Sequence, residues 1–289
     1  MGFIGVIIVI VGVFGGFMLA GGHLSVFLKA APLEFMIIGG AALGAYIIGN
    51  PMKVVKAGFR LGFRAMTSKG PQKKDYLDLL QMMFQLFQTF RKEGPQGIEK
   101  HVESPEQSDI FKAYPSVMRN HHAISFICDT MKMTLSTDLS SYDVDDLMDG
   151  DIRAIHAEEH LAQHAIQMMA DGFPGLGIVA AVLGIVKTMA HLTEGVEKIG
   201  GLVASALIGT MLGVFGAYGF IGPTAVKMGN DIEADGRFLN CIKAAMVALQ
   251  RGAPPLVCVE FARRAIMPEE RPSFDELDKA TKDIKKAAA

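Results

Sequence analysis

The chain has 289 residues, half of them apolar and a fifth charged, with a formal net charge of −2 and a mean hydropathy of +0.31. A nucleic-acid surface needs a basic excess, so the near-neutral balance excludes that class of partner. The charges fall almost entirely between Lys53 and Glu159 and after Lys227, the distribution of a membrane protein that carries a large soluble part.

The first apolar stretch runs from Gly2 to Ala20. A secretory signal has a basic start and an apolar core of roughly 7 to 15 residues. This run is longer and no Lys or Arg precedes it, so it is read as a retained first span. The second stretch is taken from Pro32 to Ile48, the third from Gly172 to Val186 and the fourth from Leu202 to Ile221. All approach the roughly 17 to 25 residues of a transmembrane helix. They are read as uncharged, with no carboxylate in the middle of any span. Embedded ionisable groups usually mark ion paths, so any group that binds a crossing ion is expected to come from elsewhere. Trp is absent, leaving Tyr or Lys as interfacial anchors.

Lys53, Lys56, Arg60, Arg64 and Lys69 crowd the exit of span two, whereas the short connections offer only Lys29 and, late in the second, Lys198. By the positive-inside rule the insertion between spans two and three and the C-terminal tail are cytoplasmic, with both termini inside. Gly12 and Gly16, Gly40 and Gly44, and Gly209 and Gly213 lie four apart, the small-residue spacing that lets helix backbones approach in lipid. Three such pairs in three spans predict a tightly packed oligomer.

The insertion reads as helical. From Asp75 the residues Tyr76, Leu80, Met83, Phe84, Phe87 and Phe90 recur at three and four, an amphipathic helix that Gly94-Pro95 ends. Short helices are expected near Glu106 to Phe111 and from His121 to Leu135. Asp143 then caps a segment that runs unbroken into span three. The expected division is residues 1–50 for spans one and two, 51–165 for a cytoplasmic helical domain, 166–223 for spans three and four, and 224–289 for a cytoplasmic tail. The fold class is an all-α membrane protein.

Cys128, Cys241 and Cys258 are far apart and odd in number, which predicts isolated reduced thiols and neither disulfides nor a metal site. His156, His160 and His164 share one helix face beside Glu158 and Glu159, but a zincin needs a glutamate directly after the first histidine, and Ala157 stands there. A solvated polar stripe is the preferred reading over a metal or pH-sensing site. Pro174 and Pro223 lie at span ends, where proline either punctuates a helix or forms a hinge. The charged turn from Arg91 to Pro95, with Glu99, Lys100 and Glu103 after it, is either a solvated face or a docking surface. The insertion has no phosphate loop, nucleophile motif or paired metal ligands, so an enzyme is not expected.

Several runs resemble one family along essentially the whole chain. They are Val13-Phe14-Gly15-Gly16, Ile37 to Ala41 through Gly49-Asn50, and Phe173-Pro174-Gly175-Leu176-Gly177-Ile178-Val179-Ala180-Ala181-Val182. Further runs are Gly209-Thr210 to Ala217-Tyr218-Gly219-Phe220-Ile221, Ala253-Pro254-Pro255 with Val259-Glu260-Phe261, and Glu270-Arg271-Pro272-Ser273-Phe274. In order and spacing they resemble the flagellar motor stator A-subunit family, motility protein A (MotA). The related ExbB and TolQ transport subunits have three spans and would not supply this four-span plan. The resemblance implies a multi-pass inner-membrane protein that forms a pentameric ring around two copies of MotB, which supplies the membrane aspartate and a peptidoglycan anchor. It implies torque on the rotor protein FliG, with Arg91 and Glu99 matching the rotor-contacting charges and Pro174 and Pro223 the functional prolines. It places Thr210 in the ion path and Ala181 where sodium-driven relatives carry threonine. A hard sodium ion needs several oxygen ligands, so protons are the expected transported ion, sodium the less favoured one, and no cofactor is expected. The alternative function is an ExbB/TolQ-like energising subunit without a rotor.

Overall fold

The computed structural model describes residues 2–67, 69–193 and 195–287, and among them no strand is formed. Among these residues eleven helices follow one another in chain order: α1 (Gly2–Leu19), α2 (Leu24–Gly49), α3 (Met52–Thr67), α4 (Lys73–Glu103), α5 (Asp109–Lys112), α6 (Pro115–Met118), α7 (His121–Ser136), α8 (Ser141–Met189), α9 (Val196–Gln250), α10 (Pro255–Ala265) and α11 (Phe274–Ala287). Four of them, α1, α2, α8 and α9, are long and apolar enough to cross a membrane. The chain groups into two compact units, Met1–Lys69 with Glu158–Asp231, and Gly70–Ala157 with Ile232–Ala289.

The first unit is built from α1, α2, α3 and the apolar portions of α8 and α9. Two small cores hold it together. One joins Ala31, Ile38, Ala180 and Leu212, and the other joins Tyr46, Val55, Leu61, Ala65, Ala162, Ala165, Ile166, Ala225 and Met228. Helix α1 buries none of its membrane window, and Ile4, Ile8, Val11 and Met18 stand exposed on it. In lipid such a surface costs nothing, because acyl chains are as apolar as the side chains. An aromatic cluster ties α1 to its neighbours: Phe14 lies 4.8 Å from Phe27 and 5.6 Å from Phe215, and Phe215 lies 5.0 Å from Phe220.

The structure alters the second span. Pro32 lies inside α2, which begins at Leu24, so Lys29 is on the helix and outside the connection. Proline is tolerated within membrane helices because neighbouring helices and local adjustments satisfy the freed carbonyl. The expectation that no span carries a carboxylate in its middle is thereby corrected: Glu34 lies ten residues into α2 and is only 6% exposed.

The second unit has a conventional apolar core. Along α4 the residues Tyr76, Leu79, Leu80, Met83, Phe84 and Phe87 are all buried, joined by Ile127, Val144, Met148, Ile242, Cys258 and Val259. The N-terminus of α4 is closed by a reciprocal capping box between Gln72 and Asp75. Its helical path breaks at Gly94, with φ 71° and ψ −165°, before Pro95 restarts it. Helix α8 starts with the same device: the Ser140 amide and hydroxyl donate to Asp143 Oδ2 at 3.0 and 2.6 Å, and the Asp143 amide donates to Ser140 Oγ at 3.2 Å. The cap residue is therefore Ser140, with Asp143 answering it, and these bonds hold the Asp143 carboxyl below its usual range. From there α8 runs unbroken to Met189. Lys243 joins the two parts of this unit through Asp149 at 2.6 Å and Asp145 at 3.3 Å.

Cys128, Cys241 and Cys258 are buried and free. Burial pushes the Cys128 and Cys258 thiols up to about 11, the environment of structural cysteines and not of reactive ones. The histidine stripe is less solvated than expected: His164 is exposed, but His156 and His160 are half-buried, and His156 lies against Gly236.

Candidate functional site

In the first unit, α8 and α9 meet along a seam of glycines and alanines. A Cβ placed on Gly213 would stand 2.7 Å from Gly177 Cα and 2.8 Å from the Phe173 carbonyl oxygen. One placed on Gly184 would stand 2.7 Å from Ala206 Cβ. Of the three expected glycine pairs, Gly209 and Gly213 make their close approach inside the chain, whereas Gly12, Gly16, Gly40 and Gly44 have nothing of their own chain beside the missing Cβ.

The two candidate ion-path residues flank this seam. A Cβ on Gly209 would lie 3.2 Å from Ala180 Cβ, so Ala181 and Thr210 are the next residues along each of the two facing helices. Both are half-buried. Thr188 and Thr224 spend their hydroxyls on the carbonyls four residues earlier, at 2.8 and 2.7 Å. Thr210 makes no such bond among the described residues, so its hydroxyl is not committed to its own helix. The same Gly209 position is occupied from the other side by Glu34, whose Oε2 would be 2.7 Å from the added Cβ.

Both candidate hinge prolines lie inside continuous helices, not at their ends. Pro174 is half-buried within α8 and Pro223 is exposed within α9. Just before Pro223 the backbone forms a π turn, Ala217–Ile221, in which the Gly222 amide donates to the Ala217 carbonyl five residues back. Proline has no amide to give the Gly219 carbonyl, and the widened turn absorbs the shift. Such single π turns are frequent at functional sites. A cavity of about 500 Å³ opens beside it, lined by Gln167, Tyr218, Pro223, Lys227 and Asn230, with Lys227 paired to Asp231.

Arg91 and Glu99 belong to the second unit. Both are exposed, neither forms a salt bridge among the described residues, and they sit on opposite sides of the Gly94 break in α4. Ile98 and Val102 anchor the second half of α4 in the core, so Glu99 is presented on a fixed base.

Sequence reasoning missed Glu34. It falls two residues after Pro32 in a stretch read as uncharged, and only a window extended back across Lys29 to Leu24 brings it inside the span. It also missed Gly177 and Gly184 as the partners of Gly213 and Ala206, because they are seven apart and match no four-residue pattern.

Residues 3–94 match the family description Motility protein A N-terminal, and residues 119–235 match the MotA/TolQ/ExbB proton channel family. Motility protein A of Salmonella typhimurium is 33% identical over 98% of this chain and 95% of its own length. Chemotaxis protein LafT of Vibrio parahaemolyticus is 37% identical over 96% of each chain. The solved structure of C. jejuni MotAB superposes with a TM-score of 0.75 at 17% identity, covering 94% of this chain and 98% of that one.

Proposed function

The chain belongs to the motility protein A family, and from that premise we propose that it is the A-subunit of a bacterial flagellar stator, forming with MotB a proton channel in the inner membrane. The family is one of channel and stator subunits, not of enzymes. The observation that carries this reading is the correspondence with motility protein A over 98% of the chain, membrane unit and helical insertion together. It also separates the reading from an energising subunit of the ExbB/TolQ kind, because residues 3–94 match the N-terminal region that is particular to motility protein A.

The physical features fit the role. A neutral carboxylic acid is far cheaper to hold in lipid than a carboxylate, so a MotB aspartate passing along the α8–α9 seam changes its packing each time it gains or loses a proton. Thr210 offers it one hydroxyl and Ala181 none, which suits a proton and starves a sodium ion of ligands. The unburied α1 and the open Gly12, Gly16, Gly40 and Gly44 faces suit neighbouring copies in a ring, for which we adopt five around a MotB dimer. With the basic cluster after α2 inside, Arg91 and Glu99 stand in the cytoplasm, where they engage charges on FliG. Pro174 and Pro223, the latter with its π turn, are the hinges through which carboxyl titration moves the inner helices.

The test is complementation. Expressed with MotB in a strain lacking its own stators, the chain restores swimming. Failure to restore it, with both subunits present in the membrane, would assign the chain to the rotor-free class.

A further inference from the structure

Glu34 is a buried carboxyl inside the span of α2, and the channel scheme above leaves it without work. Glu34 projects from the face of α2 that also carries Ala31 and Ile38, the two residues packed with Ala180 and Leu212. Its Oε2 is buried and has no hydrogen-bond partner among the described residues. It points into the space left by the absent side chain of Gly209, next to Thr210. Ten residues of α2 at about 1.5 Å each put it about 15 Å from the short-loop end of the span, near the middle of a hydrocarbon layer of about 30 Å. Lys187 stands in the last turn of α8, two turns from Ala180. The stretch of α9 beside it, Ser205 to Gly213, carries no titratable side chain.

A buried acid without a partner is a poor structural device. An unmet polar group in an apolar site costs stability, and an apolar side chain of the same size would pack there at no such cost. A group of this kind in a membrane span is by default functional.

We propose that Glu34 is a second proton-carrying carboxyl of the path, standing between the short-loop side and the Thr210 position and feeding the aspartate of the partner subunit. In one cycle a hydronium ion on the Lys187 side gives its proton to Glu34 Oε2 and leaves as water. The O–H bond then breaks as the proton passes to the partner's carboxylate, directly or through a water held at Thr210, and Glu34 is restored. No electron changes hands. Lys187 steadies the ionised form between transfers, and the glycine at 209 leaves room for the carboxyl to turn between its two neighbours.

This proposal rests on the stator reading, and the experiment keeps the two apart. The full chain, with MotB, is expressed in cells lacking stators, and tethered-cell rotation is followed against external pH at fixed membrane potential for wild type, Glu34→Gln and Glu34→Asp, with co-purification of MotB measured for each. We expect Glu34→Gln to keep its MotB, to lose more than half of the wild-type speed, and to show a flattened dependence on external pH. Glu34→Asp should regain part of the speed and of the pH dependence. A Glu34→Gln motor with wild-type speed and pH profile would overturn the proposal. So would loss of MotB from both variants alike, which would make Glu34 a packing residue. If the wild-type chain drives no rotation at all, it is the stator reading that fails.

Discussion

Replacing Gly213 by alanine tests the seam between α8 and α9. The new methyl would sit 2.7 Å from Gly177 Cα and 2.8 Å from the Phe173 carbonyl oxygen, and both are backbone atoms that cannot swing aside. Carbon atoms rest about 3.5–4.0 Å apart, so the helices must part by roughly 1 Å along the line that brings Ala180 to Gly209. Overpacking of this kind costs about 1–3 kcal/mol, while exchanging glycine for alanine inside a helix returns about 1 kcal/mol. The net change is a loss of about 0–2 kcal/mol, the overpacking cost less the propensity gain. Two controls on the same helix fix the scale. At Gly200 nothing lies within 4 Å of an added Cβ, so Gly200→Ala should be neutral or mildly stabilising. At Gly209 the closest atom is the end of the Glu34 side chain, which can move, so Gly209→Ala should fall between them. Thermal unfolding of the purified subunit with MotB in detergent gives the order. A Gly213→Ala protein as stable as Gly200→Ala would show that the seam is not closed on bare backbone.

Four further outcomes are expected. Arg91→Glu should reduce swimming in soft agar with membrane insertion intact and be partly rescued by a charge reversal on the rotor; normal torque from a double reversal of Arg91 and Glu99 with an unaltered rotor would refute the electrostatic contact, although exposed pairs are worth only about 0–1 kcal/mol and a single neutralisation should be mild. Pro223→Ala restores an amide that can reach the Gly219 carbonyl and let the π turn close into an α turn, and Pro174→Ala restores one to α8; both should retain MotB yet slow rotation at low load, and wild-type speed in both would reduce the prolines to punctuation. Rotation at fixed pH and membrane potential should not respond to external sodium, and a speed that rises and saturates with sodium would contradict the reading of Ala181. Finally, Glu260 is held at about 2 by its hydrogen bonds from Arg263 first and Arg264 second, below the ordinary glutamate value of about 4.3. A depressed folded pKa stabilises above the unfolded value and is lost as pH falls through the folded one. Glu260→Gln should therefore be less stable than wild type at neutral pH and converge on it between about pH 4 and 2, and a constant gap across that window would argue against the arginine clamp.

Membrane spans were legible where apolar residues run without interruption, because a bilayer demands length and hydrophobicity and little else. The same rule hid the start of α2: Lys29, Pro32 and Glu34 fall within eleven residues of Leu24 and read as an edge, yet they share a helix whose other faces meet lipid and small residues. In α4 both the amphipathic period and its stop at Gly94-Pro95 could be read, since each has a local cause. The seam at Gly177, Gly184, Ala206 and Gly213 was half legible. Spacing on one helix says that a backbone can be approached, but only the fold says by what. The π turn before Pro223 had no local signature beyond the proline itself. Arg91 and Glu99 were named through resemblance, and the residues around them would have served equally well for an ordinary solvated turn.

The break in α4 has a mechanical meaning. With φ 71° and ψ −165°, Gly94 occupies a region of backbone space that is essentially closed to residues bearing a Cβ. Arg91 lies before it and Glu99 after it, so the angular bearing of one charge on the other is indexed by a residue that has neither charge nor side chain. Gear teeth mesh by pitch as well as by shape. On the rotor contact proposed above, a substitution at Gly94 would leave both charges in place and change the pitch, a fault that no reversal of sign on the opposing wheel could correct.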